Sequence, residues 1–279
     1  MTLGEIFAEV SAELKISGIP TCSLDAEIII CETAGIARHR IISHPETEIS
    51  SDIIDSIHSI TKRRTKREPL AYITGHKEFY GLEFSVNRSV LIPRPDTELL
   101  VDQAIYFAPQ KSEFLDICTG SGAVAVSVKY NRPDLSVYAS DISADALECA
   151  RLNGEQIVSG KIEFTKSDVF SAFTGKKFSL ITANPPYIAE SEKNSLEAEL
   201  SFEPEQALFA DDSGMKIIKT IICNANEYLT DNGILLIEIG ASQKNAVKDL
   251  AGLNGFEAVF CPDYSGIDRV ARLSHKTGH

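Results

Sequence analysis

The sequence predicts an α/β fold in two parts, a small all-α bundle followed by a seven-stranded, mostly parallel sheet with helices on both faces. Three observations carry that expectation. Up to about residue 75, apolar residues recur with helical spacing. From about residue 112 onward, short β-branched apolar runs alternate with amphipathic segments. The last two runs, 256–261 and 268–273, have no helix between them, which makes them an antiparallel pair at the sheet edge.

Composition narrows the class. A chain of 279 residues, 43% hydrophobic and 24% charged, is long enough for a full core, and division into two domains is expected from its size. No apolar run approaches the roughly 18 residues needed to cross a membrane, and the amino terminus lacks a basic-then-apolar secretory pattern. Cys22, Cys31, Cys118, Cys149, Cys223 and Cys261 are scattered without Cys-x-x-Cys spacing or nearby His pairs. They read as small buried hydrophobes in a reducing, cytoplasmic setting, with no metal site. A net charge of −13 argues against nonspecific grip on nucleic acid, so no stable complex with it is expected.

Taken in order, Thr2-x-x-Glu5 is a capping-box pattern ahead of Leu3, Ile6, Phe7, Val10 and Leu14, and Gly18 can end that helix. A second helix runs through Leu24, Ile28 and Cys31 to Gly35. A third starts near Ser51 with Ile53, Ile54, Ile57 and Ile60. It ends in Lys62-Arg63-Arg64-Thr65-Lys66-Arg67, where basic residues suit the helix macrodipole; docking of an acidic partner or RNA is the alternative use. His39, His44 and His58 read as surface or cap residues. From Leu70 to Leu91, Tyr72-Ile73-Thr74-Gly75, Phe79-Tyr80-Gly81 and Phe84-Ser85-Val86 suggest a β-hairpin joining the two parts. The expected division is therefore 1–75, 76–92 and 93–279. Arg94 lies between two prolines at the entry to the last part, and Thr97 or Asp96 is placed to cap the helix through Leu99, Leu100 and Ala104. Strands are expected at 113–117, 135–140, 161–165, 178–183 and 233–239, besides the final pair. Helices are expected near 121–131, 143–153, 214–229 and 241–252.

The chemistry gathers at strand ends. The first strand of the sheet runs into Asp116-Ile117-Cys118-Thr119-Gly120-Ser121-Gly122, whose glycines permit a tight turn and close approach of a ligand to a helix amino terminus. The second ends in Asp141, which can accept hydrogen bonds from two ribose hydroxyls. Gly120-x-Gly122-x-x-Ala125 with that acid also fits a dinucleotide fingerprint, so an NAD-dependent dehydrogenase competes at this point. Asp116 stands where a carboxylate can steady the amino-acid moiety of S-adenosylmethionine, and Asp168, in Ser167-Asp168-Val169-Phe170, where an adenine amino group can be met. The fourth strand ends in Asn184-Pro185-Pro186-Tyr187. The prolines fix φ and carry no N–H, leaving a rigid bracket of a carboxamide, backbone carbonyls and a phenol ring. Two carbonyl acceptors and a ring face can hold a planar –NH2 with its nitrogen lone pair directed out of plane. A hydride-transfer site should show an acid/base such as His, and none lies between His76 and His275.

The bracket, the Gly-Ser-Gly loop and Asp141 resemble class I S-adenosylmethionine-dependent methyltransferases, with a Rossmann-like sheet. Three further stretches, Glu68 to Gly81, Leu91 to Glu98 and Phe202-Glu203-Pro204-Glu205-Gln206-Ala207-Leu208, resemble the PrmC/HemK family of release-factor glutamine N5-methyltransferases. The resemblance covers essentially the whole chain. It implies methyl transfer from S-adenosylmethionine to the Gln side-chain amide in the Gly-Gly-Gln loop of class I peptide chain release factors, leaving S-adenosylhomocysteine. It further implies a monomer whose helical part docks the substrate. Carried over by position, Asp116, Cys118, Thr119, Gly120, Ser121, Gly122, Asp141, Asp168, Val169 and Asn184 serve the cofactor. Asn184, Pro185 and Tyr187 serve catalysis, and Pro186, Arg94 and Glu203 join them around the substrate. Cys118 departs from the family's first loop glycine, and a negative φ is expected for it. Val169 stands where the family often has Trp, and Asp96 where it commonly has Glu. A ribosomal-protein glutamine methyltransferase, or a nucleic-acid exocyclic-amine methyltransferase, could use the same bracket.

Overall fold

The computed structural model describes residues 1–276. The chain forms two compact units, Met1–Gly75 with Glu197–Phe202, and His76–Leu196 with the residues from Glu203 onward.

In the first unit α1 spans Leu3–Ile16, and its start follows the expected chemistry. The Thr2 side chain accepts from the Glu5 N–H at 3.3 Å while Glu5 accepts from the Thr2 N–H at 2.9 Å. Leu3, Ile6, Val10 and Leu14 share its buried face, each contributing about 1.5–3 kcal/mol by leaving water. They pack on Ala26, Ile29 and Ile30 of α2 (Cys22–Ala34), which ends at Gly35 with φ +63°, and on Ile57 of α4 (Ser51–Thr65). A short α3 (His39–Ser43) lies between them in sequence. Residues Leu70–Thr74 form a helical turn, α5, stopped by Gly75 at φ +84°. This corrects the expectation of strand at Tyr72-Ile73-Thr74: with Pro69 just before it and a left-handed glycine just after, five residues suffice for one capped turn.

The three arginines of the basic run are ion-paired. Arg63 grips Glu68 with two hydrogen bonds of 2.8 and 2.9 Å. Arg64, only 6% exposed, gives Nε to Asp25 at 2.7 Å and Nη1 to Glu199 at 3.1 Å, and Arg67 takes the other Glu199 oxygen at 2.9 Å. Three guanidinium groups are thereby committed within this unit, and the acidic stretch at Glu197–Phe202 is an ion-paired segment of it.

The second unit opens with a hairpin, β1 (His76–Phe79) and β2 (Leu82–Ser85), whose Phe79 and Phe84 are buried in this unit's core; the expected linker is thus packed structure. There follow α6 (Glu98–Phe107), β3 (Glu113–Ile117), α7 (Ala123–Asn131), β4 (Ser136–Asp141), α8 (Ala144–Val158), β5 (Ile162–Lys166) and β6 (Phe178–Ala183). A small parallel pair, β7 (Ile188–Ala189) and β8 (Phe209–Ala210), has α9 (Glu205–Leu208) between its strands in sequence. The chain closes with α10 (Lys216–Tyr228), β9 (Leu229–Glu238), α11 (Lys244–Leu253), β10 (Phe256–Pro262) and β11 (Asp268–His275).

The main sheet has the order β10-β11-β9-β6-β3-β4-β5, and only β11 runs against its neighbours. Alternation divides the side chains between two cores. Leu115, Ile117, Ile181, Leu235 and Ile237 face one; Phe114, Leu180 and Leu236 face the other, with α6 and α7. From β3 the chain winds one way to β4 and β5, then crosses back to β6 and β9. The carboxyl ends of β3 and β6 therefore flank the switch point, where open α/β sheets hold ligands. Ile117 pairs with Ala183 and Ala183 with Ile237, so the three strands end flush. No helix among the described residues is long and apolar enough to cross a membrane.

Candidate active site

After β3 the backbone turns through Cys118 (φ +57°), Gly120 (φ +55°) and Gly122 (φ +81°) into the amino end of α7. The negative φ expected for Cys118 is overturned: the residue keeps the left-handed conformation of the glycine it replaces, at roughly 1–2 kcal/mol of strain. Its side chain packs on the buried core, which offsets part of that strain. Burial, with Asp141, Asp116 and Asp168 nearby, pushes the Cys118 thiol well up, so it stays protonated. Gly122 is needed for space as well as φ, because a Cβ there would stand 3.2 Å from that of Ala150 on α8.

The loop is fastened from below and from the side. Asp116, 1% exposed, accepts from the Thr119 hydroxyl and from the hydroxyl of Thr182 on the neighbouring β6, both at 2.6 Å. Burial raises its carboxyl to about 6 against these donors. Asp141, at the end of β4, accepts from the Gly120 N–H and the Ser143 N–H, each at 2.9 Å. Its carboxyl is also raised by burial, and the backbone donors pull the other way. Beyond β5, Val169 has φ +48°, uncommon for a β-branched residue. The Ser167 hydroxyl clamps that turn, donating to the Val169 carbonyl at 2.9 Å and accepting from the Ala172 N–H at 3.1 Å.

After β6 comes the bracket. Asn184 Nδ2 donates to the Thr97 hydroxyl at 3.2 Å. The Tyr187 carbonyl accepts from Gln243 Nε2 at 3.0 Å, and the Tyr187 hydroxyl lies 3.5 Å from Glu238 Oε1. Gly214 presses against the same carbonyl so closely that a Cβ would fall 2.0 Å from its oxygen.

One cavity of about 330 Å³ joins most of these groups. Asp116, Cys118, Thr119, Gly120, Ser121, Asp141, Asp168 and Val169 line it on the loop side, and Arg94, Asn184 and Pro186 on the bracket side. Four expected site residues stand outside its lining. Gly122 supports the loop, Pro185 is buried, and the half-buried Tyr187 ring packs against the core with its hydroxyl toward Glu238. Glu203, 4% exposed, accepts from the Ile92 N–H at 3.0 Å and pairs with Arg94, holding the turn that carries that arginine.

The expectation that Thr97 or Asp96 caps α6 also fails. Thr97 has helical φ and makes no side-chain cap; its hydroxyl receives the Asn184 amide, while Asp96 pairs with Arg269 at 3.3 Å. Sequence reasoning missed both Thr97 and Glu238. Glu238 is 2% exposed, and burial raises its carboxyl to about 7, with Asp96 adding to the rise and the Thr97 hydroxyl, Arg269 and the Tyr187 hydroxyl opposing it. A signal existed: Glu238 closes the apolar run Ile234–Ile237 as Asp116 nearly closes Phe114–Ile117. By alternation it shares the face of Leu236, as Asp116 shares that of Phe114.

Comparison with known proteins agrees in both units. Residues 5–75 match the family described as PrmC N-terminal domain, and residues 95–212 the one described as Methyltransferase small domain. The chain is 39% identical over 248 residues to a Salmonella typhimurium protein named release factor glutamine methyltransferase, covering 88% of this chain and 90% of that one. A Koribacter versatilis protein of the same name is 36% identical over 275 residues, 97% of each chain. Among solved structures, a methyltransferase from Pyrococcus furiosus superposes with a TM-score of 0.57 at 17% identity, over 78% of this chain and all of that one, a likeness of fold.

Proposed function

Because the chain belongs to the release factor glutamine methyltransferase family, we propose that it methylates the side-chain amide N5 of the glutamine in the Gly-Gly-Gln motif of class I peptide chain release factors, with S-adenosylmethionine as donor. The observation that carries this reading is the single cavity shared by the Asp141-anchored loop and the Asn184 carboxamide.

The residues present fit the cofactor. Asp141 is fixed by two backbone donors and retains lone pairs for a ribose diol, Asp116 closes the strand below the loop, and Asp168 and Val169 edge the same cavity. Bound there, S-adenosylmethionine supplies an electrophilic methyl group and leaves as S-adenosylhomocysteine. The chain's own task is orientation. An amide nitrogen is a poor nucleophile because its lone pair is delocalised into the carbonyl. Asn184 Oδ1, on the cavity wall, accepts a hydrogen of the substrate –NH2, turning its lone pair toward the loop side. Positioning of two reactants supplies on the order of 7–11 kcal/mol, so no strong base is required and the proton leaves afterwards to solvent. Tyr187 acts from behind, by fixing the bracket against Glu238 and Gln243.

In this reading the second unit carries the transfer, the expected catalytic part 93–279 together with Ser89, Val90 and Leu91 from the segment before it, since the cavity is lined from Ser89 to Ile217 within that unit. The helical unit docks the release factor, and the enzyme works where release factors do, in the cytoplasm. The test is incubation with labelled cofactor and purified release factor, with the methyl located by mass spectrometry. Asn184→Ala should lower turnover by roughly 100-fold or more while cofactor affinity by calorimetry stays within a fewfold. A variant that kept its rate would make the bracket merely structural.

A further inference from the structure

We propose that Asn153, a residue of α8 outside the cavity lining, is a positioning residue for cofactor binding. Its carboxamide joins the Ser121 carbonyl of the loop to the Ser85 peptide of the hairpin, and so sets the spacing of two cavity walls. The inference rests on the functional reading above, in which this cavity receives S-adenosylmethionine.

Asn153 is 0% exposed, and a carboxamide so buried is tolerated only when its groups are paired. Oδ1 accepts from the Ser85 N–H at 2.8 Å. Nδ2 donates to the Ser85 carbonyl at 3.0 Å and to the Ser121 carbonyl at 2.8 Å. A carboxamide has two hydrogens to give, and here they go to carbonyls of two different segments. The same network fixes which end is which, because a reversed Asn153 would set its oxygen against two carbonyl oxygens.

Helical spacing explains how one side chain reaches both. Asp145, Cys149 and Asn153 stand four residues apart on one stripe of α8. Cys149 Sγ donates to the Ser85 carbonyl at 3.2 Å, and the Asp145 carbonyl accepts from the Ser89 hydroxyl at 3.3 Å. Residues 85–89 are thus fastened along the helix, and the chain goes on to deliver Ser89, Val90 and Leu91 to the cavity wall. The adjoining stripe carries Ala146 and Ala150. Ala146 lines the cavity, and Ala150 is the neighbour against which Gly122 of the loop is seated.

The loop end of the cavity is therefore indexed to one helix. α8 starts just after Asp141, seats the loop at Gly122 and carries the segment that ends in residues 89–91. Asn153 is where the last two meet. Moving either segment away from α8 would leave a buried amide unpaired, so the gap between Ser121 and the 89–91 wall is set before any ligand arrives. A wall held in place beforehand raises affinity by removing the cost of ordering it on binding.

The test is calorimetric S-adenosylmethionine binding and steady-state methylation of purified release factor, with the full-length protein, Asn153→Asp and Val247→Ala. Asn153→Asp keeps the shape and the acceptor for the Ser85 N–H, but in either charge state it lacks at least one of the two donors. Its Kd and KM for the cofactor should rise roughly tenfold, as when a partner that orients a binding group from behind is lost. At saturating cofactor its kcat should stay within about threefold and its KM for the release factor within about twofold, since the bracket is untouched. Val247→Ala, on the buried face of α11, lowers Tm by leaving a void. It should bind cofactor within about twofold of wild type. An Asn153 of purely structural use would likewise lower Tm and leave Kd alone. The wild-type protein gives an independent reading, because coupling is reciprocal. Saturating S-adenosylmethionine should slow hydrogen exchange at the Ser85 N–H, outside the cavity lining. The proposal is overturned if Asn153→Asp binds the cofactor like wild type; should that variant fail to fold, Ser85 exchange unaltered by bound cofactor overturns it. A wild-type protein that does not bind S-adenosylmethionine overturns the functional reading and this inference with it. One that binds it, shows the Asn153→Asp loss and leaves release factor unmethylated overturns the functional reading alone.

Discussion

Replacing Gly214 with Ala should damage the bracket from a position with no chemistry of its own. Gly214 has φ +79°, and a Cβ there would lie 2.0 Å from the Tyr187 carbonyl oxygen, 2.7 Å from its carbon and 2.9 Å from Gln243 Nε2. Ordinary contact begins at 3.4 Å, so one side must yield by at least 3.4 − 2.0 = 1.4 Å, and the obstacle is backbone. Left-handed φ costs an L-residue about 1–2 kcal/mol. Displacing the carbonyl breaks the 3.0 Å bond from Gln243, whose amide is 6% exposed. Leaving that buried amide unsatisfied costs roughly 1–3 kcal/mol more. The sum is ~2–5 kcal/mol, which for a unit of this size lowers Tm by roughly 4–20 °C. A bracket moved by about 1 Å should also lose on the order of 100-fold in kcat. Cofactor affinity should hold, because the Cys118–Gly122 loop is fastened separately by Asp116 and Asp141. Thermal unfolding, calorimetric cofactor binding and single-turnover methylation read the three effects. A Gly214→Ala protein within about 0.5 kcal/mol of wild type and equally active would refute the reasoning.

Three further outcomes follow from the geometry. Asp141→Ala removes the side chain that Gly120 and Ser143 hold at the cavity wall, so S-adenosylmethionine Kd should rise by roughly tenfold to 100-fold, read by calorimetry, with little change in Tm. Asp116 has its folded carboxyl raised from 3.8 to about 6, so its contribution to stability is whole below 3.8 and is lost as pH rises through 6. Asp116→Asn cannot ionise, and its unfolding free energy should therefore gain ~3 kcal/mol on wild type between about pH 4 and pH 7; a constant difference across that range would refute the burial argument. In the helical unit, Asp25→Ala leaves Arg64 Nε without its carboxylate while Nη1 keeps Glu199, and should cost ~1–3 kcal/mol in denaturant unfolding.

Local features were legible in the residues themselves. Apolar spacing located α1, α2 and α4, and alternating strand and helix patterns located the sheet, because periodicity belongs to the element that carries it. The Thr2–Glu5 cap was readable for the same reason, since both partners lie within one turn. So were the strand ends around the cavity: glycines in the loop, Asp141, and prolines closing the bracket can each be read residue by residue.

What only the tertiary structure decided are the distant partners of polar groups. Thr97 reads locally as a cap, yet its hydroxyl meets Asn184, 87 positions later. Glu203 is drawn to the Ile92 N–H across 111 positions, and Glu199 to Arg64 across 135. Cys118 reads as a residue that should avoid positive φ, but the turn between β3 and α7 imposes +57° on whatever occupies it. A side chain's pattern fixes the face it takes; register and strand order fix what it meets there, and those depend on hydrogen bonds between segments that the chain brings together only by folding.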